Sequence, residues 1–452
     1  MKSINPATNE VIAEYWKHTA EEVSVIVSDV NEAWINWKNT DFSYRSGLFR
    51  RMAEVMRADK DRLARLMTSE MGKLLRESLG EIEKCAGACD FYADNAEAML
   101  KDEIIVSDAG RSFVCFQPIG IVLAIMPWNF PFWQVFRFAA PSLMAGNVAV
   151  MKHASNVPGC ALAIEELFVK AGFPKNVFRS LMIPSSGVEA VINNPLVKAA
   201  TLTGSEDAGS KVAAAAGRNI KKTVLELGGS DPFIVLEDAD LAKAVTTAVA
   251  SRMFNQGQTC ISAKRFIVSD KVLDEFTARL LKTVSELKVG DPLDPATHIS
   301  PMARPDLVDD VERQVKQSVG MGAKLLCGGK RPAIRGCYYE PAILTNVTPD
   351  MPAYREETFG PVFTIIPFKT EEEAINIAND TRFGLAGAVW TSDLIKGEKI
   401  ARAVETGAMF VNGMVKSDPR LPFGGIKKSG YGRELAAFGI REFLNIKTIW
   451  IA

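Results

Sequence analysis

From Ile121 to Leu227 the chain alternates short β-branched runs with longer amphipathic ones, and few folds accommodate that rhythm. The strand candidates are Ile121 to Met126, Asn147 to Lys152, Val177 to Ile183, Ala199 to Thr203 and Thr223 to Leu227. Parallel strands must be joined by a crossover, usually an amphipathic helix, so the alternation predicts an α/β unit with a parallel sheet. Ligands of such sheets bind beyond the carboxyl ends of the strands, which directs attention to the residues just after each run.

The flanks predict further units. Residues from about Ala20 to Met99 read as helices, with Val23, Ile26, Val30 and Trp34 spaced at three and four. Glu103 to Gly120 reads as a hairpin around Asp108-Ala109-Gly110. A second α/β unit follows from Gly228 to about Ser429, with strand candidates Phe233 to Leu236, Arg265 to Val268, Val362 to Pro367 and Ala408 to Asn412. The apolar run Phe443 to Ala452 closes the chain, and left open it would invite aggregation. It is expected to pair with the hairpin or with another subunit, in a homodimer or homotetramer.

The chain's 452 residues exceed what one hydrophobic core supports. The expected division is 1–102 with 121–227, then 228–429, then 103–120 with 430–452. The 53 basic and 54 acidic side chains nearly cancel, leaving no overall field to hold nucleic acid. The opening lacks a signal-like apolar run and no window has the length of a membrane span, so a cytoplasmic protein is expected. Seven scattered cysteines predict free thiols; none of the three histidines lies near Cys85 and Cys89 in sequence, so no metal is expected.

Three segments carry nucleophile, base and oxyanion chemistry. Cys260 ends the polar loop Asn255-Gln256-Gly257-Gln258-Thr259, which can deliver a thiol to a cleft. Glu226 ends an apolar strand before Gly228-Gly229, where burial would raise its pKa toward that of a general base. Asn129, in the turn Pro127-Trp128-Asn129-Phe130-Pro131, offers an uncharged donor to an oxyanion. Thr203-Gly204-Ser205 opens a helix whose amides can face an anion, although ordinary capping has the same pattern.

In this order these segments resemble the aldehyde dehydrogenase superfamily. Glu356-Glu357-Thr358-Phe359-Gly360-Pro361 and Pro422-Phe423-Gly424-Gly425-Ile426-Lys427-Lys428-Ser429-Gly430 add two further signatures, and the resemblance spans nearly the whole chain. It implies an α/β fold with two Rossmann-type domains and a small β bridging domain for oligomerisation. It also implies NAD or NADP as cofactor, with Lys152 and Ser155 near the adenosine ribose and Gly204 and Ser205 at the pyrophosphate. Trp128 is then expected beside the cofactor, and Glu357 and Phe359 at the nicotinamide ribose and ring. In the implied reaction Cys260 attacks an aldehyde, Asn129 holds the oxyanion, and Glu226 activates the water that opens the thioester.

Two departures bear on specificity. Strict NAD users carry a glutamate where Ser155 stands in Lys152-His153-Ala154-Ser155-Asn156, so NADP is expected to be accepted alongside NAD. Trp133 and Arg137 stand where the resemblance to the bacterial succinate-semialdehyde branch puts substrate contacts, with Arg137 expected at the distant carboxylate. Phe254 occupies the place of a further arginine, and Ser417 and Arg420 are candidate replacements. A broad-specificity aldehyde enzyme and a catalytically silent homologue are the rival readings. Glu226 also argues against a coenzyme A-acylating relative, since it favours water as acyl acceptor.

Overall fold

The five strand candidates between Ile121 and Leu227 enter one six-stranded sheet, in a computed structural model that describes residues 1–452. Its order is Gly430–Tyr431, Lys222–Glu226, Val197–Thr203, Ile121–Met126, Val148–His153 and Phe178–Ser180. The five inner-sequence strands are parallel. Ile121–Met126 lies at the centre, and its unbroken apolar sequence fits a strand covered on both faces. Gly430–Tyr431, expected to open the bridging unit, instead pairs antiparallel with Lys222–Glu226 and closes that edge of the sheet.

The second sheet has seven strands in the order Lys324–Cys327, Ala342–Thr345, Val362–Phe368, Ala263–Ser269, Asp231–Val235, Ala386–Trp390 and Ala408–Val411. All pairs are parallel except the outermost, Lys324–Cys327 against Ala342–Thr345. The terminal strand Leu444–Ile451 pairs antiparallel with Arg111–Pro118, which pairs with Glu103–Ile105. This small sheet exposes Ile104, Ile446, Trp450 and Ile451.

Helices Ala20–Trp37, Phe42–Ala58, Lys60–Met71 and Leu75–Met99 pack around the first sheet, and one of them positions the site. Helix Trp133–Met144 has no side-chain cap of its own. Instead Glu81, from Leu75–Met99, accepts hydrogen bonds from the amides of Phe132 and Trp133, each 2.9 Å. Lys73 neutralises that buried carboxylate in an ion pair. A carboxylate at a helix N-terminus satisfies orphan amides and favours the helix dipole, so the end of the Pro127–Pro131 turn and the helix after it are held from outside. No helix is long and apolar enough to cross a membrane.

Candidate active site

The thiol loop is held in a conformation that its sequence resists. Asn255, Gln256 and Gly257 carry φ of 52°, 58° and 72° in succession, and a Cβ on Gly257 would press into the Gly360 carbonyl. Glycine serves that backbone freely, whereas Gln256 is strained there and must be held by its surroundings. Much of the holding comes from Arg252, at the end of helix Leu241–Met253. It is fully buried and donates to the carbonyls of Gly257, Ala263, Thr358 and Gly360. One guanidinium thereby ties the thiol loop to the Glu357-Thr358-Phe359 segment.

Lys264 supports the same loop from below. Its Nζ donates to the carbonyls of Thr259 (3.1 Å) and Cys260 (2.7 Å) and lies 3.5 Å from Glu357 Oε1. Glu357 also accepts from the Gly229 amide at 3.0 Å. A side chain on Gly228 would strike the Glu357 carboxylate, so the glycine pair after Glu226 leaves the room this approach needs.

Asn129 is 4% exposed, and its Nδ2 donates to the Gln258 carbonyl at 3.0 Å. Asn255 Nδ2 in turn donates to the Asn129 carbonyl at 2.8 Å, so the oxyanion turn and the thiol loop are laced together. An amide nitrogen carries two hydrogens, and the second remains to meet an oxyanion. Glu226 ends strand Lys222–Glu226, is 2% exposed, and has no hydrogen-bond partner on either oxygen. Burial pushes its carboxyl well above the usual range, opposed by Arg137 and reinforced by Glu434. Burial likewise pushes the Cys260 thiol up to about 12, against the pull of Arg137 and Lys264.

Arg137, expected at the distant carboxylate of the substrate, is enclosed by partners from its own chain. It is 2% exposed, ion-paired with Glu434, hydrogen-bonded to Thr203 Oγ1 at 3.2 Å and set over the Phe423 ring. With the buried Glu226 and Glu434 to balance, its charge is committed inside the site. Arg420, a candidate substrate contact, has a side chain that is 74% exposed and chelated by Asp418. Ser417 is different. Its Oγ accepts from Trp133 Nε1 at 3.1 Å and from Lys84 Nζ at 2.7 Å. Phe254 stacks obliquely on Phe130, with ring centroids 5.6 Å apart.

Of the expected cofactor residues, Ser205, Glu357 and Phe359 line a cleft of about 620 Å³ together with Gly228. Ser205 caps helix Glu206–Arg218, accepting from the Ala208 amide. Trp128 and Phe359 meet edge to face at 5.8 Å. Lys152 is buried with only Ser185 Oγ as partner, at 3.3 Å, and Ser155 is exposed nearby in sequence. Gly204 follows strand Val197–Thr203 and precedes the capping Ser205 of the helix. No cluster of three or more His, Cys, Asp or Glu side chains could hold a metal.

Lys84, Arg252, Lys264 and Glu434 are absent from the sequence-derived site. Glu434 lies four residues beyond the Pro422–Gly430 signature, which is a usable signal. The other three resemble ordinary helix or strand cations until the fold shows what they touch.

The comparisons with known proteins cover the whole length of the chain. A model of the aldehyde dehydrogenase family matches residues 1–449. A probable succinate-semialdehyde dehydrogenase [NADP(+)] of Synechocystis is 51% identical, covering 100% of this chain and 99% of the relative. A succinate-semialdehyde dehydrogenase [NADP(+)] of Mycobacterium avium is 48% identical, over 99% and 96% of the two chains. The crystal structure of succinic semialdehyde dehydrogenase from Streptococcus pyogenes in complex with NADP+ superposes with a TM-score of 0.98. It is 40% identical and covers 100% of this chain and 99% of that one. With likeness of sequence and backbone running from end to end, the chain belongs to the aldehyde dehydrogenase family and is an oxidoreductase.

Proposed function

We propose that the protein oxidises succinate semialdehyde to the dicarboxylic acid through a thioester on Cys260, using NADP preferentially and NAD usably. The observation that carries the hydrolytic reading is Glu226, a buried carboxyl left without hydrogen-bond partners and electrostatically coupled to the same Arg137 as Cys260. The names of the relatives at about half identity support the substrate and the cofactor.

The residues present fit a nicotinamide dinucleotide. Gly228 leaves open a cradle that a side chain would fill against Glu357, and the helix start at Ser205 opens onto the same cleft. Lys152, with one neutral partner, and Ser155, in place of a repelling carboxylate, suit a 2′-phosphate. When bound, the dinucleotide supplies the acceptor for the hydride on the aldehyde carbon.

The chain supplies the rest. Cys260 Sγ bonds to the carbonyl carbon as a thiolate, after the proton that burial holds on it has passed to solvent water. Arg137 and Lys264 favour the thiolate. The carbonyl oxygen takes up the displaced electron pair and receives the free N–H of Asn129. After oxidation the acyl group is held on sulfur. Ionised Glu226 takes a proton from water, the water oxygen bonds to the acyl carbon, and the C–S bond breaks with its electrons returning to sulfur.

Glu226→Gln is the direct test. The variant is expected to give one burst of reduced nicotinamide per site, with a succinyl mass retained on Cys260, and steady turnover lowered by ~10²–10⁴-fold. Steady turnover at the wild-type rate would remove Glu226 as the base. Kinetics of the wild type on succinate semialdehyde and butanal, with each cofactor, test the substrate and cofactor preferences.

A further inference from the structure

Two carboxylates leave one face of helix Leu75–Met99, and both end on the active site. Glu77 lies in the first turn and Glu81 one turn later, so their Cβ atoms are about 6 Å apart on the same side of the helix. Glu81 accepts from the Phe132 and Trp133 amides and so holds the end of the turn that carries Asn129. Glu77 reaches the thiol loop instead: its Oε2 accepts from the backbone amide of Asn255 at 3.1 Å.

Asn255 is where that loop most needs an anchor. It opens the run of positive φ that continues through Gln256 and Gly257, a backbone that residues with side chains keep only when their surroundings impose it. Arg252 clamps the Gly257 end. The Asn255 side chain donates to the Asn129 carbonyl at 2.8 Å, and Asn129 Nδ2 donates to the Gln258 carbonyl at 3.0 Å. Glu77 therefore grips the residue through which the thiol loop and the oxyanion turn are joined, and it grips from outside both. An acid in the first turn of a helix is ordinary on dipole grounds. This one turns away from its own helix start, where Leu74 offers no side-chain cap, to meet an amide of a distant segment.

We propose that Glu77 is a positioning residue for acylation: by fixing the Asn255 amide it sets the separation between Cys260 and the Asn129 donor, while Glu81 fixes the far end of the oxyanion turn. The assignment rests on the thioester reading above.

The grip has a pH dependence. Burial raises the Glu77 carboxyl to about 7; Lys73, the Asn255 amide and Arg76 oppose the rise, and Glu81 adds to it. Lys73 stands in the turn before the helix, Arg76 and Glu81 on the helix itself, and the facing thiol loop presents the Asn255 amide. A charged acceptor holds an N–H about twice as strongly as a neutral one, so the grip is full above about pH 7 and weakens as pH falls through it.

The experiment follows the burst of reduced nicotinamide on rapid mixing of enzyme with NADP and succinate semialdehyde, in wild type, Glu77→Ala and Glu77→Gln. NADP affinity is read separately from tryptophan fluorescence. Glu77→Ala is expected to slow the burst by about 10- to 100-fold, since a misplacement of about 1 Å can cost that much, and to leave NADP affinity unchanged. Glu77→Gln keeps a neutral acceptor and is expected to restore the burst at pH 8 to within about fivefold of wild type. The ratio of wild-type to Glu77→Gln burst rates cancels the steps common to both proteins and is expected to fall toward unity as pH drops below about 7.

A wild-type burst in Glu77→Ala overturns the assignment. So does a loss of NADP affinity that matches the loss of burst, which would make the residue a support for the cofactor domain alone. If that variant fails to fold, a ratio of wild type to Glu77→Gln that stays flat from pH 6 to 8.5 overturns it equally. Glu226→Gln protein that retains no acyl mass on Cys260 is a different failure, that of the thioester reading, and the role of Glu77 falls with it.

Discussion

His153 shows how one side chain can brace the site without touching substrate. Its Nε2 faces the Pro131 carbonyl at 2.9 Å, and its Nδ1 accepts from the Ala154 amide at 2.8 Å. Those two partners require the neutral ring with the proton on Nε2. The ring ties the end of strand Val148–His153 to the turn that carries Asn129. Burial, with Lys152 assisting and the Pro131 and Met126 carbonyls opposing, lowers its pKa to about 4. Between the unfolded value of about 6.5 and that folded value, the unfolded chain binds the extra proton, so stability falls as pH falls through this window. His153→Gln can keep the bond to Pro131 without titrating. Denaturant unfolding at pH 7.5 and pH 4.5 is expected to show wild type losing roughly 3 kcal/mol more than the variant. An equal loss would mean that the ring is accessible to protons in the folded state.

Among the elements, legibility followed burial and neighbours. Strand Ile121–Met126 has the bounds read from sequence, because it is an unbroken apolar run between Gly120 and Pro127. Val177 to Ile183 reads as seven residues of strand but forms only Phe178–Ser180, which is an edge with one neighbour to pair. Ala386–Trp390 lies between two parallel neighbours, yet Ala386, Gly387 and Ala388 carry no β-branched signal; only the sheet around them makes them strand. The thiol loop is the clearest case of tertiary override. Gly257→Ala is expected to cost about 2–4 kcal/mol and to remove most activity, since the added Cβ meets the Gly360 backbone and φ is positive. Thermal unfolding with thiol alkylation by iodoacetamide checks it. Wild-type stability and wild-type Cys260 labelling together would show that the loop shape is not imposed there.

For the whole molecule, the open outer edge of Leu444–Ile451 is the main unsolved exposure, with Ile446 and Trp450 60% and 56% exposed. Such an edge is a template for pairing, and the chain is expected to associate with copies of itself through it. The double substitution Ile446→Asp with Trp450→Asp is expected to lower the mass measured by light scattering toward that of one chain; an unchanged oligomer would place the interface elsewhere. The sequence alone determined the α/β class and the aldehyde dehydrogenase resemblance, and it singled out Cys260, Glu226 and Asn129 as candidates, because those readings depend on local periodicity and on residues adjacent in the chain. It left open whether the last strand joined the hairpin or another subunit, and the fold seats it on Arg111–Pro118. Only tertiary structure decided the state of each charge. Arg137, Lys84, Arg252 and Lys264 are all cations in the sequence, and what separates a satisfied ion pair from a loop clamp or an ammonium on a neutral hydroxyl is which distant oxygen each one meets. Those oxygens belong to Glu434, Ser417, Gly360 and Glu357, and chain folding alone brings them within reach.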